Sequence, residues 1–437
     1  MNFKKICVLG LGYTGLPTAT TFATHGLRVV GVDINPKIIS TLQNGGIHIH
    51  EPGLSTLVQE AMRSGNLTVC AAPEPADAFI IEVPTPFYHD ERGVHEGKPY
   101  RRADMRAVVS ATEAIVPHLR KGNLVVLEST SPPRTTVDLL IPILERSGLK
   151  AGADFFLAYT PERVLPGNIL RELVDNDRVI GGIDHASSQA GRDLFAIFVR
   201  GEIVLTDATT AEMVKLMENT YRDINVAAAN EFSRLAERFG VDVWEAISLA
   251  NRHPRVKILR PGPGVGGHCV SVDPWFFVEA APDLASLIHT ARMVNDSQPT
   301  FVLESIRKAA GPLAGKRIAV LGLAFKEDVD DLRESPAVEI TRMLAEQGAQ
   351  VKAYEPFKPD AQYDAFATVP SLESALEAAE VLVILAGHTV FKALDPQQVA
   401  RQTPARLVMD TRNVCDPAVW KAAGFRVVRL GDGKKKL

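Results

Sequence analysis

The chain is poor in cysteine and in aromatic side chains. Only four of its 437 residues are cysteine, and phenylalanine, tyrosine and tryptophan together make up 6%. Cys7, Cys70, Cys269 and Cys415 lie far apart, with no Cys-x-x-Cys pair. That excludes a disulfide framework and a zinc knuckle, leaves no metal expected, and suits the reducing cytoplasm. No uninterrupted apolar run reaches the ~18 residues of a membrane span, so no membrane partner is expected. The opening "MNFKKICVLGLGYTG" has too short an apolar run, leading straight into glycines, to read as a signal peptide. A formal net charge of −4 gives no electrostatic reason to expect nucleic acid, and the terminal "KKKL" is too small for a basic patch. What remains, 46% hydrophobic and 23% charged, is an ordinary globular mix, long enough for two or three domains.

Short β-branched runs alternate with helical patterns at the start of the chain. "KKICVLG", "RVVGVD", "AFIIEVPTP", "NLVVLEST" and "FFLAYTPER" read as strands, with "LPTATTFATHG" and "RAVVSATEAIVPHLRKG" as helices between them. "RVIGGID" and "GEIVLT" add strands before Thr206. This alternation predicts a parallel, doubly wound sheet over residues 1–206. From Asp207 the pattern changes. "TTAEMVKLMENTYRDINVAAANEFSRLAERFG" has helical periodicity and no proline or glycine before Gly240, which predicts one helix well beyond the ~11–12-residue mean. With "DVWEAISLAN" after it, residues 207–300 read as a helical connector of the kind that forms dimer cores. Strands return in "KRIAVLGLAFK", "QVKAYEP", "VLVILAG" and "RLVMDTRN", alternating with helices such as "AVEITRMLAEQG", so residues 301–437 form a second α/β domain. The predicted fold class is α/β, with two Rossmann-like doubly wound domains joined by a long central helix.

"CVLGLGYTG" places Gly10-x-Gly12-x-x-Gly15 directly after a strand and at the opening of a helix. In that context Gly10 permits the tight turn, Gly12 lets a pyrophosphate approach the backbone, and Gly15 lets helix and strand pack closely. Tyr13 and Thr14 complete the loop, and the helix N-terminus offers unpaired N–H groups to an anion. The next strand ends at Asp33, 18 residues after Gly15. A carboxylate there accepts hydrogen bonds from a ribose 2′-hydroxyl and repels a 2′-phosphate, so NAD is expected over NADP. Pro84 and Thr85, in "VPTP", follow a later strand at the carboxyl edge where open α/β sheets bind ligands.

A dinucleotide site alone serves an alcohol dehydrogenase, which has no use for a thiol. "GPGVGGHCVSVDPWF" puts Cys269 among glycines, next to His268 and four residues before Asp273. A thiolate adds to an aldehyde, the adduct loses a second hydride to become a thioester, and water releases an acid. The glycines would let a substrate come close to the sulfur, and His268 or a nearby lysine would activate it. The bland alternative, a small packed side chain, is preferred for Cys7 and Cys70, which sit in strand runs. Lys215 and Asn219, four apart on the long helix, share one face; they read either as a solvated polar stripe or as donors to a developing oxyanion and a water.

The set "GLGYTGLPTA", "VDIN", "VPTPF", "ESTSPP", "PERVLPGN", "NDRVIGG", "AEMVKLMENTYRDINVAAANE", "ANRHPRV", "GPGVGGHCVSVDPWF" and "GLAFKEDVDDLRESPA" covers nearly the whole chain in order. It resembles the UDP-glucose/GDP-mannose dehydrogenase family, the nucleotide-sugar 6-dehydrogenases. The resemblance implies Cys269 as nucleophile, Asp273 as acid/base, Lys215 and Asn219 as support for the oxyanion and a bound water, and Thr130 near that water. It implies Glu162 in thioester hydrolysis, with Arg163 and Gly266 beside the sugar and Lys326 on the nucleotide sugar. Lys37, Thr130 and Arg333 join the NAD site, and Arg255 reaches a neighbouring subunit's substrate site. The implied substrate is a UDP-sugar, and the implied assembly a homodimer or higher homo-oligomer. The chain also departs from the UDP-glucose branch. That branch carries Phe-Pro-Lys where Val270, Ser271 and Val272 stand, and a glutamate where Pro166 stands. Both changes fall in the implied sugar pocket and count against the UDP-glucose reading; "GHCVSVDPWF" and "ANRHPRV" resemble the N-acetylmannosamine branch, which puts UDP-N-acetylmannosamine ahead of UDP-N-acetylglucosamine and UDP-glucose. The alternative of another class, a non-catalytic NAD-binding regulatory protein, leaves Cys269, Asp273, Lys215 and Glu162 without a task.

Overall fold

The computed structural model describes residues 1–49, 51–165 and 167–434. Pro166 and the end of the terminal lysine run lie outside the described residues. The chain divides into two compact units, Met1–Glu218 with Trp275–Leu284, and Asn219–Pro274 with Ala285–Leu437.

The first unit is built on an eight-stranded sheet. Its strands are β1 (Lys5–Leu9), β2 (Arg28–Val32), β3 (Leu67–Cys70), β4 (Ala78–Ile81), and, after a separate hairpin of β5 (Phe87–His95) and β6 (Lys98–Ala103), β7 (Leu124–Leu127), β8 (Phe156–Tyr159), β9 (Arg178–Gly182) and β10 (Ile203–Asp207). The spatial order is β10-β9-β8-β7-β4-β1-β2-β3. Neighbours run parallel, with Ile6 opposite Ala78 and Val29, except that β8 and β9 pair antiparallel. The alternation of strands and helices implied parallel pairing throughout; the exception arises because an antiparallel neighbour needs no return crossover. β4 and β7 are buried along their whole length, which is why they read as continuous apolar runs rather than alternating ones. One face is covered by a cluster containing Leu16, Phe22 and Phe195, the other by one containing Ile115, Leu140 and Ala211. Burying each large apolar side chain is worth about 1.5–3 kcal/mol. Phe22 also meets Phe198 edge-on, ring centroids 4.7 Å apart.

In the second unit β11 (Arg317–Leu321), β12 (Gln350–Tyr354), β13 (Ala367–Thr368), β14 (Val381–Ile384), β15 (Leu407–Asp410) and β16 (Arg426–Arg429) form a sheet ordered β13-β12-β11-β14-β15-β16, parallel throughout. Both α/β domains and the long helix, Ala208–Phe239, match the expectation. Among the described residues no helix is long and apolar enough to cross a membrane.

The helix Ser286–Asp296 brings Arg292 into the interior of this second unit, where its side chain is 1% exposed and pairs with the fully buried Asp223 and with Asp296. Asn295 Nδ2 donates to Asp223 Oδ1 at 2.8 Å. Burial pushes the Asp223 carboxyl up, and Arg292 pulls it back. Removing one partner of such a pair strands the other charge out of water. Asp223→Ala is therefore expected to cost about 3–5 kcal/mol in chemical denaturation, and a loss under about 1 kcal/mol would show that Arg292 is otherwise compensated.

Candidate functional site

The glycine loop caps the end of β1. Gly10 N–H donates to the Val32 carbonyl at 2.8 Å, and the residue adopts φ +98°. A Cβ on Gly10 would lie 2.2 Å from the Glu82 carbonyl oxygen, and one on Gly15 would lie 2.0 Å from the Gly10 carbonyl oxygen. Both positions are therefore closed to side chains by the chain itself. Gly12 differs: it is exposed, and a Cβ there would meet nothing within 4 Å. Nothing in the chain demands glycine at 12, whereas a ligand resting on the backbone would. The helix Gly15–Thr24 begins with no carboxylate in its first turn and no side-chain cap, which leaves its N–H groups available to an anion.

Asp33 follows β2 and is half-buried. Its Oδ2 accepts from Leu11 N–H at 3.0 Å and its Oδ1 from Asn35 N–H at 2.8 Å, so the carboxylate is fixed against the loop. Lys37 is exposed in the first turn of the helix that Asn35 caps. β4 ends at Ile81, so Pro84 and Thr85 stand beyond the strand. That segment is held by Ser129, whose Oγ accepts from Val83 N–H at 2.9 Å and donates to the Val83 carbonyl at 2.7 Å. Thr130 is the next residue and is half-buried.

Glu162 lies in the same unit, after β8. Its Oε2 accepts from Arg178 at 3.0 Å and its Oε1 from Arg163 N–H at 2.6 Å. Lys215 Nζ donates to the Glu162 backbone carbonyl at 2.7 Å, so these two candidates are brought together. Arg163 is turned to Glu218, 2.9 Å away. Arg178 also binds Glu128 at 2.6 Å, and Glu128 lies near enough to Glu82 for the two carboxyls to act on each other. This buried cluster was not picked out from the sequence. The signal was present: Glu82 and Glu128 are acids that close the apolar strands "AFII" and "LVVL".

The second unit holds Asn219, Arg255, Gly266, Cys269, Asp273, Lys326 and Arg333. Asp273 is 2% exposed and opens the helix Asp273–Ala280; Asn219 Nδ2 donates to its Oδ2 at 2.5 Å, and its N–H donates to the Cys269 carbonyl at 2.8 Å. Cys269 is exposed, whereas Cys7 and Cys415 are buried and Cys70 is partly so. Burial pushes the Cys7 thiol up to about 12, which suits packing and not chemistry. Burial, and then the positive charge of Arg333, holds the His268 ring below its ordinary value. His268 is therefore neutral near pH 7: it can accept a proton but does not pair with a thiolate as a cation.

The glycines before Cys269 are explained differently from the expectation. A Cβ on Gly266 would lie 2.6 Å from both the Glu334 carbonyl oxygen and Phe325 Cβ, and one on Gly267 would lie 2.8 Å from the Phe325 ring. The close approach is made by the chain's own segment 325–336, not left open for substrate. Gly267 N–H donates to the Arg333 carbonyl at 3.0 Å, which brings the Cys269 loop to the segment carrying Lys326 and Arg333. Lys326 is half-buried, Arg333 is exposed and paired with Asp331, and Arg255 is exposed.

Three domain descriptions of the UDP-glucose/GDP-mannose dehydrogenase family match the chain: the NAD binding domain over residues 4–199, the central domain over 209–297 and the UDP binding domain over 319–417. A UDP-N-acetyl-D-mannosamine dehydrogenase of Methanocaldococcus jannaschii is 48% identical, over 99% of this chain and 97% of its own. An NDP-N-acetyl-D-galactosaminuronic acid dehydrogenase of Ralstonia solanacearum is 47% identical, over 95% and 97%. The solved UDP-N-acetyl-mannosamine dehydrogenase of Staphylococcus aureus superposes with a TM-score of 0.87 at 42% identity, covering 98% of each chain.

Two predictions separate fold from ligand in the glycine loop. Gly10→Ala, strained at φ +98° and blocked by the Glu82 carbonyl, should lower the melting temperature. Gly12→Val should melt like the parent yet lose NAD affinity by about tenfold or more, by calorimetry, because the new side chain occupies space only a ligand needs. Equal melting of both variants would remove the distinction. Asp33→Ser should weaken NAD binding and narrow the preference over NADP; comparable parental turnover with both cofactors would remove Asp33 from that role.

Proposed function

The chain belongs to the UDP-glucose/GDP-mannose dehydrogenase family, as an NAD-dependent nucleotide-sugar dehydrogenase, and from that premise we propose that it oxidises C6 of UDP-N-acetyl-D-mannosamine to the uronic acid through a thioester on Cys269. The observation that carries the reading is the contrast among the thiols. Cys269 alone of the four is exposed, and it stands next to a buried carboxylate, Asp273, held by Asn219.

Residues 1–206 would hold NAD, 207–300 the central connector, and 301–437 the UDP-sugar. Gly10, Gly12, Tyr13, Thr14 and Gly15 would cradle the pyrophosphate, Asp33 the ribose, and Lys37, Pro84, Thr85, Thr130 and Arg333 the rest of the cofactor. Bound NAD⁺ supplies the hydride acceptor for each of two oxidations. In the first, Asp273 takes up the C6 hydroxyl proton, while Lys215 and Asn219 hold the developing charge on oxygen. The Cys269 sulfur adds to the aldehyde carbon and its proton passes to the carbonyl oxygen, giving a thiohemiacetal. Loss of a second hydride and the hydroxyl proton leaves a thioester. Glu162 and Thr130 orient a water, which breaks the C–S bond and returns the thiol with a uronic acid. Arg163 and Lys326 would contact the nucleotide sugar, and Gly266 would meet it through its backbone alone, since its Cβ side faces Phe325 and Glu334. The names of the relatives support an N-acetylhexosamine, and the mannosamine epimer is the one proposed.

Met213, Met217 and Tyr221 form an exposed apolar row at four-residue spacing on the long helix, joined further along by Phe232, Leu235 and Phe239. Such a row supports a homodimer through this helix, with Arg255 reaching the partner's substrate. Reduced thiols support a cytoplasmic setting.

A panel of UDP-N-acetylmannosamine, UDP-N-acetylglucosamine, UDP-N-acetylgalactosamine and UDP-glucose with NAD⁺ tests the substrate. The mannosamine nucleotide should have the highest kcat/KM, and a better rival would replace it. Each substrate should yield two NADH. Cys269→Ala should retain NAD and UDP-sugar binding and stop acid formation. Uronic acid formed by that variant at near the parental rate, measured by mass spectrometry, would show that the thiol is only packing.

A further inference from the structure

Beneath the glycine loop, three buried carboxyl groups have a single guanidinium among them, and it pairs with two. Glu82, Glu128 and Glu162 are 8%, 1% and 9% exposed, and Arg178, 5% exposed, reaches two of them. If all three acids were ionised, the cluster would bury two uncompensated negative charges, which protein interiors avoid by neutralising a group. The geometry shows which one. Arg178 binds Glu128 and Glu162 and stacks over the Phe195 ring, 4.4 Å from its centroid; no ion pair to Glu82 exists among the described residues. Glu82 Oε2 and Glu128 Oε2 are both buried, and no N–H or O–H of the described residues reaches either. Glu82 and Glu128 are near enough for each to act on the other's charge, and two ionised carboxylates would leave both oxygens unsatisfied, whereas a carboxyl and a carboxylate sharing a proton would satisfy both.

Glu82 also touches the cofactor loop. Its Cγ lies 3.2 Å from where a Cβ on Gly15 would be, its carbonyl blocks Gly10, and the Thr14 hydroxyl is near enough to act on its carboxyl. Anything that charges Glu82 places a negative group under the atoms that receive a pyrophosphate. We propose that Glu82 is a neutral acid in the working enzyme, sharing its proton with Glu128, and that this proton is a determinant of dinucleotide affinity. The inference rests on the dinucleotide reading of the loop and is independent of the sugar and of Cys269.

The electrostatics agree. Burial, and then the Glu128 charge, pushes the Glu82 carboxyl well above its ordinary value, with Glu162 adding to the push and Thr14 opposing it. Glu128 is raised by burial, but Arg178, and then the neighbouring Glu82, act against that rise. The groups facing Glu82 are thus Glu128, Glu162 and Thr14, with Arg178 behind the two acids.

Glu82→Gln tests this, since an amide copies the neutral acid and cannot ionise. A carboxyl raised in the folded state favours folding fully below its unfolded value, about 4.3, and that contribution is lost as pH rises toward the folded value. The parent should therefore lose melting temperature relative to Glu82→Gln as pH rises from about 5 to about 8, by roughly 3 °C per unit. Parallel melting profiles would overturn the shared proton. At a pH where the pair ionises, NAD affinity of the parent should fall by up to tenfold per unit while that of Glu82→Gln holds, by calorimetry; the same fall in both would show that the cofactor does not sense Glu82. If the variant does not fold, the infrared carbonyl band of a protonated carboxyl in the parent replaces it. NAD affinity must hold wherever that band is present, and affinity that persists after the band has gone overturns the proposal. A parent that binds no NAD at any pH would refute the dinucleotide reading itself, a result distinct from the others.

Discussion

The dinucleotide half of this protein hangs on one steric fact: the Glu82 carbonyl stands 2.2 Å from where Gly10 would carry a Cβ. β1 and β4 are hydrogen-bonded neighbours in parallel register, so the end of β4 lies directly against the turn that follows β1. Only a residue without a side chain can turn there, and only another can start the helix against the Gly10 carbonyl. The turn delivers a helix N-terminus, an exposed Gly12 and a fixed Asp33 to one edge of the sheet. That same contact places the Glu82 side chain, and through it a buried network of charge, under the loop.

Glycine serves two different purposes in this chain. At 12 it leaves space that the protein does not fill, and at 266 and 267 it removes side chains that would collide with Phe325 and Glu334. In both places backbone approaches something closely, but only the first approach is left for a ligand. The second secures a loop, so that the exposed Cys269 sits on backbone tied to Arg333 and beside an Asp273 that Asn219 holds. The nucleophile proposed at Cys269 would gain from such fixity, because a thiolate that wanders loses the alignment on which addition to a carbonyl depends.

Charge is handled in the same economical way. Arg292 is satisfied by Asp223 and Asp296, and Arg178 by Glu128 and Glu162. The pairs differ in count. The first cluster has one acid buried and one partly open to solvent, while the second has three buried acids for one base and must hold a proton. A structural ion pair and a proton-holding site therefore look alike in composition and are told apart by stoichiometry and burial.

Periodicity and local chemistry determined much of this molecule. Buried parallel strands must be apolar on both faces, so β1, β4, β7, β11 and β14 were legible as short runs. The absence of proline and glycine made the helix Ala208–Phe239 legible over its 32 residues. Glycine spacing after a strand marked the dinucleotide loop, and the ordered motifs marked the family. The hairpin β5–β6 escaped because "HDERGVH" and "KPYRRA" are charged and carry no apolar alternation. The antiparallel β8–β9 pair escaped because strand direction is set by the path of the connection, not by residue type. What only the tertiary structure decided was which distant groups meet. Lys215 reaches the Glu162 carbonyl, the glycines before Cys269 receive Phe325, and Glu82, Glu128, Glu162 and Arg178 gather from four strand ends or loops. Burial and pairing set the charge state of each such group, and both depend on neighbours that are remote along the chain.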